Sequence, residues 1–163
     1  MQLAEPNLHI VLVRPEIPQN TGSIARLAAA IKARLHLVGP LGFSLEDRYL
    51  KRAGLDYWPL VDLRTYEGWD EFAAAHPDQQ PTKTKYFSTH ADASYLDAPY
   101  ARGDFLFFGS ETSGLGRVFI AERRDRAYRI PIFEAGVRSL NLSNAVSIVV
   151  YEALRQIGAL SSS

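Results

Sequence analysis

The sequence predicts an α/β fold, a mostly parallel sheet flanked by helices, from three features. Apolar runs of strand length alternate along the chain with segments of helical period. Proline or glycine stops several of these runs. The run DFLFFG (104–109) is apolar throughout its interior, as a central strand covered on both faces should be.

The elements follow in chain order. LHIVLV (8–13) stops at Arg14-Pro15 and reads as the first buried strand. In PQNTGSIARLAAAIKARL the residues Ile24, Leu27, Ala28 and Ile31 fall at i, i+3, i+4 and i+7, giving a helix with one apolar face. Asn20 or Thr21 is placed to cap its first turn. LHLVG (35–39) is the next strand, SLEDRYLKRAG a short helix from Ser44 to a stop at Gly54, and WPLVDL a strand. YEGWDEFAAAH predicts a helix ended by Pro77, and KYFST (85–89) a further strand. HPDQQPTKTK reads as a surface loop too short to divide the chain, so residues 1–163 form a single domain with a frayed tail at 161–163. The last helix, about 141–157, carries Leu142, Ala145, Val146, Val149, Ala153 and Leu154 on one face, while Ile148, Val150 and Tyr151 occupy the others. A helix apolar nearly all round must be covered on two sides. A second copy of the chain is the economical cover, and a wholly internal core helix is the alternative.

Composition excludes several classes of function. There is no cysteine among the 163 residues, hence no disulfide framework and no thiolate zinc site, which suits the cytoplasm. No run approaches the roughly 18 apolar residues of a membrane span, so the chain reads as soluble. Lysine and arginine number 18 and aspartate and glutamate 18, which removes any general attraction to nucleic acid. Local basic stretches remain in EDRYLKRAG (Arg48, Lys51, Arg52) and ERRDRAYR (Arg123, Arg124, Arg126, Arg129), but both are mixed with acids and read as solvated helix faces. The four histidines lack the spacing of a metal site, and His9 and His36 sit in apolar strands as core residues. No G-x-S-x-G elbow is present for a serine hydrolase.

Three segments carry polar chemistry. In FLFFGSETSGLG, Gly109 and Gly114 bracket four residues as in a phosphate loop, but Leu115-Gly116 stands where Lys-Ser/Thr is required. Gly114-Leu115-Gly116 opens a dinucleotide fingerprint whose third glycine position holds Phe119. What survives is a glycine-rich loop at the carboxyl end of a strand with Glu111 in its middle, or an ordinary strand-to-helix turn. In PEIPQNTGSIAR, Arg26 lies off the apolar stripe and is either solvated or aimed at an anion. In IPIFEAGVRSLNLSN, Ser139 or Asn141 reads as a plain helix cap, with Ser143 and Asn144 satisfying free amides of the first turn, yet side-chain donors and acceptors at Ser139, Asn141, Ser143 and Asn144 exceed what one cap needs. With Gly136 and the backbone of Ile130-Pro131 they read as a polar pocket at a helix mouth.

Taken together, NTGSIARLAA, LFFGSETSGLG and IPIFEAGVRSLNLSNAVSIVVYEALRQ resemble, in order and spacing, the three motifs of the SPOUT superfamily of S-adenosylmethionine-dependent RNA methyltransferases. PEIPQNTG, LVGPLGFSLED and KRAGLDYW bring the similarity nearest to the short tRNA 2′-O-methyltransferases that modify the wobble nucleotide, cytidine or uridine 34. It spans roughly residues 8–158. The resemblance implies a C-terminal deep trefoil knot, a homodimer, and a pocket in which S-adenosylmethionine touches Phe87, Gly109, Ile130, Ser139 and Leu140. In that pocket Gly109 and Gly114 let backbone approach the cofactor, and no metal takes part. The family's catalytic positions fall on Asn20 and Arg26 in the first motif, Glu111 in the second, and Ser139 and Asn141 in the third. Arg26 is expected to act on the tRNA ribose across the dimer interface. Because a guanidinium keeps its proton, stabilisation of a developing alkoxide is its expected role. The second motif departs from the family at Ser110 and Ser113, where proline and arginine often flank the glutamate, and Arg117 or Arg138 is the candidate substitute. The activity implied is methyl transfer to the 2′-hydroxyl of nucleotide 34. Its rivals are another tRNA or ribosomal RNA position, and a catalytically silent RNA-binding or assembly module.

Overall fold

The computed structural model describes residues 1–54, 56–76 and 81–162. The predicted stop at Pro77, residues 77–80 of the predicted loop, and Ser163 of the predicted tail lie outside the described residues. The elements are β1 (His9–Val13), α1 (Pro18–Ile31), β2 (Arg34–Val38), α2 (Arg48–Gly54), β3 (Asp62–Tyr66), α3 (Trp69–Ala75), β4 (Thr84–Phe87), β5 (Ala93–Ser94), β6 (Phe105–Phe108), α4 (Arg117–Ala121), β7 (Ala127–Arg129) and α5 (Leu142–Gln156). The seven strands form one sheet in the order β3-β2-β1-β6-β4-β7-β5. Every neighbouring pair is parallel, so the sheet is more uniform than predicted.

The pleat sorts the side chains into two cores. On one face Ile10 and Leu12 of β1, Leu35 and Leu37 of β2, and Leu106 and Phe108 of β6 meet α1 and α5 through Ile24, Ala28, Val146, Val149, Val150 and Ala153. On the other, Val11, Val38, Tyr86 and Phe107 meet Phe72 of α3 and Ile120 of α4. Each fully buried valine of α5 contributes about 1.5–3 kcal/mol by leaving water. The outer stripe of α5 is different, because Ile148 and Tyr151 stay 37% and 46% exposed. Among the described residues, none supplies the second cover predicted for that helix.

A polar chain crosses the α3 face. His9 Nδ1 is hydrogen-bonded to His36 Nε2 at 2.9 Å, His36 Nδ1 to the Tyr66 hydroxyl at 2.9 Å, and that hydroxyl to His76 Nε2 at 3.0 Å. Phe105 stacks on His9 at 4.0 Å, and Phe72 meets His36 edge-on. Burial pushes His36 down to about 2 and His9 down to about 4, in each instance with nearby positive charge adding to the effect. The predicted core histidines are therefore neutral, and both ring nitrogens of His36 are engaged.

Several expected boundaries move for local reasons. The helix expected from Ser44 begins at Arg48, because the Asp47 carboxylate accepts from the amides of Tyr49 (2.7 Å) and Leu50 (3.4 Å) and caps it there. WPLVDL is a 3₁₀ turn over Trp58–Leu60 with Pro59 in its opening, and the strand starts only at Asp62. Tyr66 ends β3, so the following helix begins at Trp69 behind Gly68. ERRDRAYR is not a solvated helix face. The Arg123 guanidinium lies 3.6 Å from the Phe119 ring centroid, and Ala127–Arg129 forms β7 with Ala127 and Tyr128 buried.

Candidate active site

Strand order runs outward from β1 through β2 and β3 on one side, while β6 and β4 lie on the other. The loops leaving β1 and β6 therefore start from adjacent strands, at the carboxyl edge where parallel sheets hold ligands. These loops grip each other. The Glu111 carboxylate accepts from the backbone amides of Glu16 and Ile17, both at 2.8 Å, and from Asn20 Nδ2 at 3.2 Å. In return the Glu16 carboxylate accepts from the Thr112 amide (3.1 Å) and hydroxyl (2.7 Å). These Thr112 contacts hold the Glu16 carboxyl below the usual range.

This clasp corrects one expectation. Helix α1 begins at Pro18, and its cap position, Ile17, has no side-chain bond. Asn20 and Thr21 lie inside the helix, buried, and neither caps it. The negative charge that the N-terminal amides attract comes from Glu111, across the chain. The signal that places the helix start is Pro18 itself, since proline favours the first helical position.

The third segment joins the same cluster. Asn141 caps α5, its Oδ1 accepting from the amides of Ser143 (3.0 Å) and Asn144 (3.3 Å). Its Nδ2 donates to Asn20 Oδ1 at 3.1 Å. Glu111, Asn20 and Asn141 thus form one line of hydrogen bonds joining the starts of α1 and α5 to the loop after β6. Sequence reasoning missed Glu16 and Thr112, whose pairing joins residues 96 positions apart and has no local pattern.

Beside this line lies a cleft of about 600 Å³, walled by the loops after β4, β6 and β7 and by the start of α5. Phe87, Gly109, Gly114, Ile130, Ser139 and Leu140 all line it, as does Glu111. Asn20, Arg26 and Asn141 do not. Phe87, Phe108 and Leu142 give it an apolar wall, Ser88, Ser110 and Ser139 supply hydroxyls, and Arg117 and Arg138 stand at its lining. Its volume falls in the range of small-molecule sites. Among the described residues, no group of three or more His, Asp or Glu is placed to hold a metal ion.

The loop after β6 folds back on itself. A Cβ at Gly109 would lie 2.0 Å from the Gly114 carbonyl carbon and 2.2 Å from the Leu115 nitrogen. Only glycine fits there. Gly114 has φ 61°, a second glycine position, and its amide donates to the Ser110 carbonyl at 2.9 Å. The Ser110 hydroxyl accepts from the Ser113 amide at 3.2 Å, so the two serines that depart from the motif close the turn between them.

Arg26 stands apart from the cluster. It follows Asn20 by six residues, about 9 Å along the helix axis, and is exposed. Its guanidinium donates to the Tyr57 hydroxyl at 3.2 Å and lies 4.6 Å from the Tyr57 ring centroid.

Known proteins of similar sequence and fold fall in one group. The SpoU rRNA Methylase family matches residues 7–151. The tRNA (cytidine(34)-2'-O)-methyltransferase of Burkholderia ambifaria is 46% identical over 153 residues, covering 92% of this chain and 96% of that protein. The protein of the same name from an Acidovorax species is 46% identical over 154 residues, covering 91% of each. A solved structure described as giving insight into the 2-OH methylation of C/U34 on tRNA has a TM-score of 0.83 and 46% identity, over 93% of this chain and 97% of that one. The SpoU methyltransferase AviRb from Streptomyces viridochromogenes, solved in complex with AdoMet, has a TM-score of 0.79 and 26% identity, over 94% of this chain and 62% of that one. The chain belongs to the SpoU rRNA methylase family.

Proposed function

We propose that this protein carries a methyl group from S-adenosylmethionine to the ribose 2′-hydroxyl of tRNA nucleotide 34. The observation that carries the reading is the cleft, where Phe87, Gly109, Gly114, Ile130, Ser139 and Leu140 come together from three separated loops. Relatives named for this position are near 46% identical over almost their whole length, which favours it over other RNA positions.

The cleft fits the cofactor. Its apolar wall suits an adenine ring, and its hydroxyls and Glu111 suit the polar groups of a nucleoside and an amino acid. The bound cofactor supplies an electrophilic methyl on a sulfonium. Ser139 and Leu140, at the start of α5, hold it in place, while the Glu111–Asn20–Asn141 line keeps the helix starts and the loop after β6 in register. Arg26 stabilises negative charge developing on the ribose 2′-oxygen. Because it lies away from the cleft of its own chain, it serves the cleft of a second copy.

The homodimer belongs to this reading. Helices α1 and α5 pack on one another, and α5 leaves Ile148 and Tyr151 uncovered. A second copy covers them. The threading of residues 130–141 into a trefoil knot also belongs here, and so does a cytoplasmic setting, where tRNA is available. Among the described residues, no helix is long and apolar enough to cross a membrane.

Incubation with labelled S-adenosylmethionine and unfractionated tRNA, followed by nuclease digestion, tests the reading. The expected product is a nuclease-resistant linkage at nucleotide 34. Label at another nucleotide refutes the position, and cofactor binding without transfer identifies a silent module. Arg26→Ala is expected to lower kcat about 100- to 1000-fold, the cost of removing one such donor.

A further inference from the structure

Among the described residues, most cations with a side-chain partner are held by carboxylates. Arg34 and Arg64 share Asp62, Arg124 pairs with Asp92 and Arg155 with Glu152. Lys85 is buried against Asp104. Arg26 is held differently. The hydrogen bond it makes goes to a neutral hydroxyl, and its planar group lies over an aromatic face. Arg48 shows a similar contact with Tyr49, but those residues are sequence neighbours at the start of α2. Arg123 also lies over a ring, that of Phe119, but has the Glu122 carboxylate at 3.5 Å, and Arg126 lies farther from its ring, 5.7 Å from the Tyr86 centroid. Tyr57 is 31 residues from Arg26, and its place is fixed by tertiary packing. It opens the 3₁₀ turn Trp58–Leu60, whose Trp58 packs on the core beside α1. Tyr57 itself is half-buried, whereas Arg26 is exposed.

We propose that Tyr57 is the positioning residue for the Arg26 guanidinium, fixing its plane by stacking and one hydrogen bond while leaving its charge unneutralised. This rests on the role given to Arg26 above. An exposed arginine loses several rotatable bonds when it engages a substrate, and a side chain already ordered loses less. A carboxylate would order it too, but would cancel the charge needed at a developing alkoxide. An aromatic face attracts the cation without carrying a formal charge. Of the five N–H donors of the guanidinium, the Tyr57 hydroxyl engages one, and the others remain for a ribose or phosphate oxygen. A tyrosine therefore meets both requirements.

The test is a kinetic double-mutant cycle on the full-length protein with S-adenosylmethionine and tRNA, using Tyr57→Leu, Arg26→Ala and the double variant. Tyr57→Leu is expected to lower kcat about tenfold, with KM for tRNA unchanged within twofold. Tyr57→Phe keeps the ring, so it should recover most of that loss. In the Arg26→Ala background, Tyr57→Leu should cost nothing further, because the group it positions is gone. Should Tyr57→Leu fail to fold in a thermal melt, Tyr57→Gln takes its place with the same expected kcat loss. Wild-type kcat in the ring-less variant overturns the proposal. So does an equal kcat loss in both backgrounds, which is the mark of a structural role, or a raised KM at constant kcat, which is the mark of RNA contact. Wild-type turnover by Arg26→Ala would instead remove the role of Arg26, a result distinct from all of these.

Discussion

At the carboxyl edge of the sheet, Glu111, Asn20 and Asn141 join three segments of chain, whereas on the α3 face His9, His36, Tyr66 and His76 join three strands and the end of a helix. Both are lines of side-chain hydrogen bonds, but they differ in what is left over. Along the histidine line both His36 nitrogens and the Tyr66 hydroxyl are committed, with aromatic rings on either side. The line at the edge ends in a cleft, and Glu111 both ties the loops and lines that cleft. Closed polar networks specify a core, while networks that border a cavity retain capacity for a ligand.

The comparison breaks most sharply at Gly109. Gly109→Ala forces a methyl group onto the Gly114–Leu115 backbone, so activity is expected to fall more than 100-fold, read by methyl transfer. The next effect separates the two networks. His36→Leu removes the partner of His9 Nδ1 and one of the two partners of the Tyr66 hydroxyl, and is expected to destabilise by about 2–3 kcal/mol in denaturant unfolding. Its kcat should stay within twofold of wild type wherever the protein is folded. Glu111→Ala removes an acceptor from two amides and from Asn20. It should cost about 1–2 kcal/mol, as loss of a helix cap does, and also reduce kcat. Equal kcat losses in the two variants would erase the distinction.

Acid sharpens it further. His36 is depressed to about 2 and His9 to about 4, whereas an unfolded histidine titrates near 6.5. The unfolded chain therefore binds these protons first, so the stability contributed by the neutral histidines is fully present above pH 6.5 and is lost as pH falls toward the folded values. For buried His36 the loss is about 1.4 kcal/mol per pH unit below 6.5. His36→Gln keeps one donor and one acceptor but cannot charge, and should reduce the slope of unfolding free energy between pH 6.5 and 5. An unchanged slope would show that His36 is not the group that titrates.

What the sequence disclosed follows the same physics. β1, α1, β6 and α5 are long enough for their apolar period to stand alone, and Asn141 caps α5 in a recognisable position. β5 and β7, of two and three residues, are too short for any period. The expected cap of α1 is Asn20 or Thr21, since a polar residue near a helix start carries the same local signal whether it caps or lies inside the first turn. The capping by Glu111 was invisible because backbone amides have no sequence signature and the carboxylate comes from 94 residues away. Of the six cleft residues, Gly109, Gly114, Ile130 and Ser139 stand in stretches whose own chemistry marked them, while Phe87, Leu140 and the meeting of all six were legible only through motif resemblance, because that meeting depends on the path of the chain between separated loops. Tyr57 stands in KRAGLDYW, a stretch marked by motif resemblance alone, and its contact with Arg26 is not legible there because a stacking partner 31 residues distant leaves no spacing to read.

Calorimetric titration of S-adenosylhomocysteine into ligand-free wild type, His36→Leu and Gly109→Ala addresses the central claim, that the edge cleft takes the methyl donor and the histidine line only supports the fold. One site per chain is predicted for wild type and for His36→Leu, and none for Gly109→Ala. No uptake by wild type, or equal uptake by Gly109→Ala, would contradict the claim.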